Sequence, residues 1–281
     1  MEFEKTIDGK NYLVVKSDNL RETINYINKK DIKQILINDY RGFKEQSVDF
    51  LAECNQIEDV FLVEGNYDTS GIKYLDNLKS AIIGSAPKHS VDLSKFKGLE
   101  SLSITHHKNW LNLFSCTSLI DLHIWKLPFE NLLNFKRLVK LKSLELVQGK
   151  VNSLEGIDEL SLTHFEAHKV SSLLDIGMYK ESFSLENFYL YDCKKVQNHE
   201  DIAKAVNLKS LRYANCGIMK SISFIEKMPK LKEFRFPKTL VEDGNLSYLE
   251  KIDVVMFNDK KHYSIKYKDL FLDRIKKGLM S

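Results

Sequence analysis

The amino-acid sequence predicts an α/β solenoid, in which short strand-containing coils stack side by side around one shared core. Three observations favour this fold class. An apolar block with the pattern L-x-x-L-x-L returns at intervals of 20 to 23 residues through the centre of the 281-residue chain. The composition is 43% hydrophobic, which is ample for a continuous core. Both ends depart from the pattern, as the terminal units of a stacked array must do to cover its exposed edges.

The repeat defines about eleven coils over residues 32–262. The clearest blocks begin at Leu99, Leu119, Leu141, Leu162, Leu185, Leu208 and Leu231. Weaker blocks begin at Ile32, Ile57, Leu78 and Leu249. Positions 4 and 6 of each block should point inward from a short strand, while positions 3, 5 and 7 should project from the opposite face. Strands of successive coils should pair in parallel, about 4.8 Å apart.

These blocks resemble leucine-rich repeats, and the short coils resemble those of internalins, of phosphatase regulators and of small bacterial leucine-rich proteins. The resemblance implies a horseshoe with a parallel concave sheet and a convex side that mixes turns, 3₁₀ and short helix. The sequence itself favours a helix at 47–53 and another at 200–206. Position 9, usually Asn or Cys in this family, is Cys at only two coils, so the resemblance does not imply regular curvature.

Both ends are predicted to cap the array. Residues 1–31 should form a β-hairpin around Asp8-Gly9, followed by a helix that carries Leu20, Ile24 and Ile27 on one face. Residues 263–281 should form a capping helix, because apolar side chains recur there at i, i+4 from Tyr267. Contact of this basic amphipathic helix with a membrane surface is the alternative interpretation.

Charge and cysteine content narrow the class of protein. The 42 basic and 39 acidic side chains are interspersed, so we expect no nucleic-acid partner. No stretch of 18 apolar residues and no signal-peptide pattern occur, so we expect no membrane partner and a cytoplasmic location. The scattered cysteines indicate reduced thiols. Cys193 and Cys216 occupy equivalent positions in neighbouring coils, where two buried thiols are favoured over a disulfide.

The concave positions of the central coils are rich in Trp, Tyr and Arg, the residue types enriched in binding hot spots. They also carry histidines and glutamates. The predicted partner-binding residues are His123, Trp125, Glu145, His164, Glu166, His168, Tyr189, Tyr191, Arg212 and Arg235. The alternative is that some of these aromatic rings only pack against one another as cross-strand pairs.

The sequence His164-x-Glu166-x-His168 is the one local pattern with metal-binding character. All three side chains should share a sheet face, with neighbours about 6.6 Å apart. Glu166 with either histidine gives two ligands, fewer than the three or four of a usual zinc site. A metal-binding or hydrolytic enzyme built on this strand is therefore the alternative, and a solvated polar strand is the default.

Sequence motifs for catalysis are missing. The chain has no G-x-S-x-G, no H-E-x-x-H and no phosphate-binding Gly-rich loop. We therefore expect a non-enzymatic, monomeric module without cofactor or metal, which binds a protein partner on its concave face. A narrower hypothesis follows from the resemblance, because some small bacterial leucine-rich proteins neutralise toxins as immunity factors.

Overall fold

The computed structural model describes residues 1–6, 9–63, 65–182 and 184–270. The chain divides into two compact units. The first comprises Met1–Trp125 and Arg137–Leu141, and the second comprises Lys126–Lys136 and Lys142–Ser281.

The first unit is built on a sheet whose strands follow one another in chain order. Its strands are β1 (Glu2–Lys5), β2 (Asn11–Val15), β3 (Gln34–Ile37), β4 (Asp59–Leu62), β5 (Ser80–Ile83), β6 (Val91–Asp92), β7 (Ser101–Thr105), β8 (Trp110–Leu111) and β9 (Asp121–Trp125). Strands β2, β3, β4, β5, β7 and β9 pair in parallel in that order. The short strands β6 and β8 pair separately. This is the parallel ladder that the repeat predicts.

The N-terminal residues of this unit differ from the coils. Strand β1 pairs antiparallel with β2, and Asp8 of the predicted turn lies outside the described residues. Helix α1 (Leu20–Lys30) follows and buries Ile24 and Ile27, as the sequence predicts. It ends at Lys30, and the left-handed backbone of the following Asp31 lets the N–H of Ile32 also donate to the carbonyl of Ile27. The capping role of these elements stays a prediction.

The second unit repeats the same coil. Its strands are β10 (Ser143–Val147), β11 (His164–His168), β12 (Asn187–Tyr191), β13 (Ser210–Ala214), β14 (Ile218–Met219), β15 (Glu233–Arg235), β16 (Leu240–Val241) and β17 (Val254–Met256). Strands β10, β11, β12, β13, β15 and β17 pair in parallel in that order. Strands β14 and β16 form a second, two-stranded sheet.

The core of each unit lies behind its sheet, under positions 4 and 6 of the coils. On β11, for example, Phe165 and Ala167 are fully buried, while the residues on either side are half-buried. This alternation confirms the predicted orientation of the clear blocks. Aromatic rings reinforce the stack, since Phe165 and Phe188 on neighbouring strands lie face to face with centroids 5.2 Å apart.

The last coil is shifted from its predicted phase. The sequence block beginning at Leu249 placed Ile252 and Val254 at the inward positions. In the structure Val255 pairs with Phe234, whereas Val254 is 37% exposed. The block therefore begins at Ile252, and Val255 and Phe257 are its inward residues. This phase keeps the spacing from Leu231 at 21 residues, close to the other coils.

The backs of the coils are turns and 3₁₀ helices. These helices are Asp39–Arg41, Asp49–Glu53, Thr69–Tyr74, Leu93–Lys95, Leu113–Ser115, Leu133–Arg137, Ile157–Glu159, His199–Lys204, Ser223–Lys227 and Ser247–Lys251. The expectation of helices at 47–53 and 200–206 is thus corrected to 3₁₀ turns. Their backbone bonds run from residue i to i−3, as from Leu51 N–H to the Val48 carbonyl and from Ala205 N–H to the Ile202 carbonyl, which is the 3₁₀ pattern.

The predicted C-terminal helix lies only partly within the described residues. It is helical over residues 267–270, and residues 271–281 lie outside the described ranges. Over the described residues, no helix has the length and apolar character needed to cross a bilayer.

Candidate functional site

The strands place all of the predicted site residues at outward positions 5, 7 or 3, where each side chain is half-buried. His123 and Trp125 lie on β9 of the first unit. The rest lie on the second unit, on β10, β11, β12, β13 and β15. The alternation of the strands therefore positions these residues as the sequence predicts.

In the first unit, His123 and Trp125 form a pair of their own. The two rings stack with centroids 3.8 Å apart and an angle of 27° between their planes. Residues two apart on a strand share a face, so the stack follows from the strand geometry. The pair presents one broad, partly exposed aromatic surface.

In the second unit, Glu166 connects both histidines of its strand. One carboxylate oxygen lies 3.2 Å from His164 Nε2, and the other lies 2.5 Å from His168 Nε2. Glu145 on the neighbouring strand approaches the same His168 nitrogen at 3.7 Å. The rise of a strand separates neighbouring side chains on one face by about 6.6 Å, but both imidazoles lean toward the central carboxylate.

These contacts set the charge of the cluster. Hydrogen bonds from His164 and His168 lower the pKa of Glu166 to about 2, so this carboxyl is ionised throughout the physiological range. The hydrogen bond to Glu166 in turn raises the pKa of His168 above its usual value, and burial opposes that shift. An ionised carboxylate accepts hydrogen bonds only, so each facing Nε2 carries a proton.

This arrangement bears on the metal-binding alternative. A ring nitrogen ligates a metal through a lone pair, and the Nε2 atoms of His164 and His168 instead direct their protons at Glu166. The described residues contain no group of three or more His, Cys, Asp or Glu side chains arranged to hold a metal ion.

A second set of contacts orders the tyrosines and Arg212. The rings of His168 and Tyr191 stack at 4.6 Å, and His164 meets Tyr189 edge-on at 5.2 Å. The guanidinium carbon of Arg212 lies 4.3 Å from the ring centre of Tyr189, a cation–π contact. Its Nη1 also donates to the hydroxyl of Tyr191 at 3.3 Å.

Glu233 holds both arginines and was not among the predicted site residues. Its Oε1 accepts from Arg212 Nε at 3.0 Å and forms an ion pair with Arg235 Nε at 2.6 Å. The available sequence signal was its place at position 3 of the same coil as Arg235. Ser210 Oγ, at the equivalent position of the preceding coil, accepts from the hydroxyl of Tyr189 at 3.1 Å.

Together these side chains form one connected surface on the second unit, which we call the concave patch. It consists of Glu145, His164, Glu166, His168, Tyr189, Tyr191, Arg212, Glu233 and Arg235. Its charged side chains are between 18% and 38% exposed. The patch is therefore held in place by its own contacts and still open on one side.

The two cysteines at position 9 are buried and free, as the sequence favours. The Cys193 thiol lies 3.5 Å from the carbonyl of Tyr191, and Cys216 lies 3.3 Å from that of Leu190. Burial raises the pKa of Cys216 far above its usual value. Both side chains fill the core behind the patch.

The similarity to known proteins is structural. No protein-family model matches the sequence, and no curated protein is similar enough to match it. The TLR13–ssRNA13 complex matches with a TM-score of 0.52 and 17% identity, over 84% of this chain and 39% of that chain. An internalin from Listeria monocytogenes matches with a TM-score of 0.45 and 14% identity, over 82% of this chain and 73% of that chain.

A plant receptor also matches. The leucine-rich repeat ectodomain of the receptor kinase GASSHO1/SCHENGEN3 from Arabidopsis thaliana, in complex with CASPARIAN STRIP INTEGRITY FACTOR 2, has a TM-score of 0.40 and 10% identity. That match covers 81% of this chain and 26% of the receptor chain. Together with the repeat spacing and the parallel ladder of each unit, the match to TLR13 shows that this chain has the leucine-rich repeat fold.

Proposed function

We propose that this protein is a non-enzymatic binding module that holds a protein partner on the concave patch of its second unit. The observation that carries the proposal is the ordered set of Tyr189, Tyr191 and Arg212. These residue types dominate the energetics of protein interfaces, because each brings a large contact area with a polar tip. All three remain partly exposed.

The contacts within the patch support binding in a second way. Association loses free energy when mobile side chains must be ordered, about 0.5–1.5 kcal/mol for each one. Arg212 is already held by Tyr189, Tyr191 and Glu233. Most of that ordering has therefore taken place before a partner arrives. The rings also pack across strands, as His164 does with Tyr189 and His168 with Tyr191, and this packing contributes to the order of the patch.

The charge of the patch favours protein over nucleic acid as the partner. The patch carries two arginines and three glutamates, so its charges are mixed. One of the glutamates, Glu166, accepts hydrogen bonds from two histidines. Nucleic-acid sites concentrate cations against phosphate, and this patch does not. The TLR13 complex contains ssRNA13, so the experiment must also detect RNA as a possible partner of the patch.

Site-directed photocrosslinking tests the proposal. A benzoylphenylalanine replacing Tyr189 should crosslink one specific protein in the native host, and the same label replacing Tyr248 should not. Tyr248 is an equally suitable control because it is half-buried on a 3₁₀ turn of the same unit. Equal crosslinking from both positions, or crosslinking to RNA from Tyr189, would contradict the proposal.

A narrower form of the proposal is that the partner is a toxin that this chain neutralises. It is motivated by the resemblance to small bacterial leucine-rich proteins, and it includes a cytoplasmic location and a monomeric state. Its test is growth of host cells that express the crosslinked partner with and without this chain. Protection that is lost on substitution of the concave patch supports the narrower form, and no protection refutes it.

A further inference from the structure

A row of exposed lysines follows the carboxyl ends of the strands in the second unit. We call this surface the basic edge. It consists of Lys126, which opens this unit directly after β9, and of Lys150, Lys169, Lys194, Lys195, Lys238, Lys260 and Lys261, which follow β10, β11, β12, β15 and β17. All are exposed. The strands are parallel, so the residues that follow them meet at one edge of the sheet.

Backbone geometry aligns part of this row into a ladder. Position 8 of six coils adopts a left-handed conformation, and three of these residues are lysines, with φ of 57° at Lys126, 54° at Lys169 and 58° at Lys238. The N–H of Lys126 donates to the carbonyl of Val147, and that of Lys169 donates to the carbonyl of Tyr191. Each ladder residue is thereby fixed to the coil beside it, and successive residues lie about 4.8 Å apart.

Lysine is not the residue that this backbone favours. Asn, Asp and Gly adopt the left-handed region most readily, and other side chains meet steric resistance there. Asp192 and Asn215 occupy the same position in two of the coils and fit that preference. Backbone conformation therefore does not explain Lys126, Lys169 and Lys238, and another property of lysine must be in use.

The property of lysine in question is its positive charge, which no described ion pair neutralises at the basic edge. The ion pairs of lysines described in this unit join Lys180, Lys204 and Lys209 to acidic residues, and none involves the basic edge. Asp192 and Asp259 lie among these lysines, which outnumber them. Asp192 accepts from the Asn215 amide, and Asp259 accepts from the backbone N–H of Tyr267, so neither is ion-paired with a lysine of the edge in the described contacts. The lysines thus create a positive stripe.

We propose that the basic edge binds an acidic segment of the protein that the concave patch holds, an inference that rests on the proposed function. The two surfaces are continuous, because Lys169 directly follows His168 of the patch. Lys126 is bonded to Val147, which ends the strand that carries Glu145. The basic edge suits the carboxylates of an acidic peptide better than a nucleic-acid strand. Single strands need aromatic platforms for their bases, and the ladder residues between the lysines are Gln148, Asp192 and Asn215.

Fluorescence polarisation with labelled decaglutamate tests this inference on the full chain. The edge variant replaces Lys126, Lys150, Lys169 and Lys195 with Gln. The matched control replaces Lys227, Lys230, Lys232 and Lys251 with Gln, which removes the same charge from exposed positions elsewhere in the unit. We expect at least a tenfold loss of affinity in the edge variant and less than a twofold change in the control. Affinity of the wild type should fall with added salt.

Three results would overturn the inference. These are no binding of decaglutamate by the wild type, equal losses in the edge variant and the control, and tighter binding of a dT10 oligonucleotide than of decaglutamate. Decaglutamate binding is measured without a protein partner, so failure of the edge to bind acidic peptide and failure of the patch to bind a protein partner are read out separately. Circular dichroism and thermal unfolding verify that each variant is folded.

Discussion

The imidazole of His168 lies almost parallel to the phenol ring of Tyr191, with centroids 4.6 Å apart and an angle of 8° between the planes. The two residues are register partners on β11 and β12. The stack joins the histidine–glutamate cluster to the pair formed by Tyr191 and Arg212. The concave patch consequently acts as one connected surface, in which a change at one residue alters the order of its neighbours.

The pKa of His168 should be measurably raised. Glu166 accepts from its Nε2 and stabilises the charged imidazolium, so the pKa in the folded protein should exceed 6.5. An NMR titration of the His168 ring proton measures this value. Glu166→Gln should lower it toward or below the usual value, because burial is then opposed only by weaker interactions such as that with Glu145. Glu145→Gln should have a smaller effect, since that contact is 3.7 Å. An unchanged pKa in Glu166→Gln would contradict the assignment.

Stability should depend on pH through the same pair. A raised folded pKa means that the contribution of His168 is fully present below pH 6.5 and is lost as the pH rises through its folded pKa. Glu166 stays ionised across this range because its pKa is about 2. The wild type should exceed His168→Gln in free energy of unfolding by about 1 kcal/mol at pH 5.5, and by less at pH 9. Urea titrations at both pH values measure the difference. A gap that is constant or widens with pH would contradict this sign.

Gly149 should not tolerate a side chain. Its φ is +104°, and an added Cβ would lie 2.6 Å from the carbonyl oxygen of Leu127. Gly149→Ala should lower the free energy of unfolding by at least about 1 kcal/mol, measured by urea denaturation. Gly98→Ala is the control, because the nearest atom, the Leu78 carbonyl oxygen, is 3.8 Å away. Equal stability of the two variants would show that the backbone at Gly149 is not constrained in this way.

The cysteine thiols should be unreactive toward thiol reagents in the native protein. All four cysteines are free and buried, and burial raises the pKa of Cys54 to about 11 and that of Cys116 to about 12. The hydrogen bond with Cys216 lowers the pKa of Cys193, and its complete burial keeps reagents away from that thiol. A thiol reagent at pH 8 should therefore react slowly with the folded chain, and with four thiols after denaturation. Rapid labelling of the native protein, or fewer than four thiols in the denatured one, would refute this prediction.

The repeat pattern predicted the coils because buried positions 4 and 6 impose a strict apolar requirement. It failed at the last coil because two overlapping triads satisfy that requirement. Leu249, Ile252 and Val254 are apolar, and so are Val255 and Phe257 after Ile252. Only pairing with Phe234 on β15 distinguishes them. The helices predicted at 47–53 and 200–206 are 3₁₀ turns with i to i−3 bonds, which short apolar patterns do not distinguish from α-helical turns.

The sequence predicts on which face of the sheet the candidate site residues lie, and it does not predict which of their side chains contact one another. Strand alternation places Tyr189, Tyr191 and Arg212 on one face, which the structure confirms. That Arg212 lies over Tyr189 and pairs with Glu233 depends on side-chain rotamers and on contacts across three strands. Neither is encoded in the spacing of the repeat. The binding role of these residues stays a prediction.

The central claim is that the concave patch binds a protein partner. Its most direct test is the affinity of the crosslinked partner for purified chain, measured by calorimetry. Tyr189→Ala combined with Tyr191→Ala and Arg212→Ala should weaken binding by at least a hundredfold, because hot-spot truncations cost about 2 kcal/mol or more each. The lysine control variant at Lys227, Lys230, Lys232 and Lys251 should bind normally. Unchanged affinity of the folded triple variant would contradict the claim.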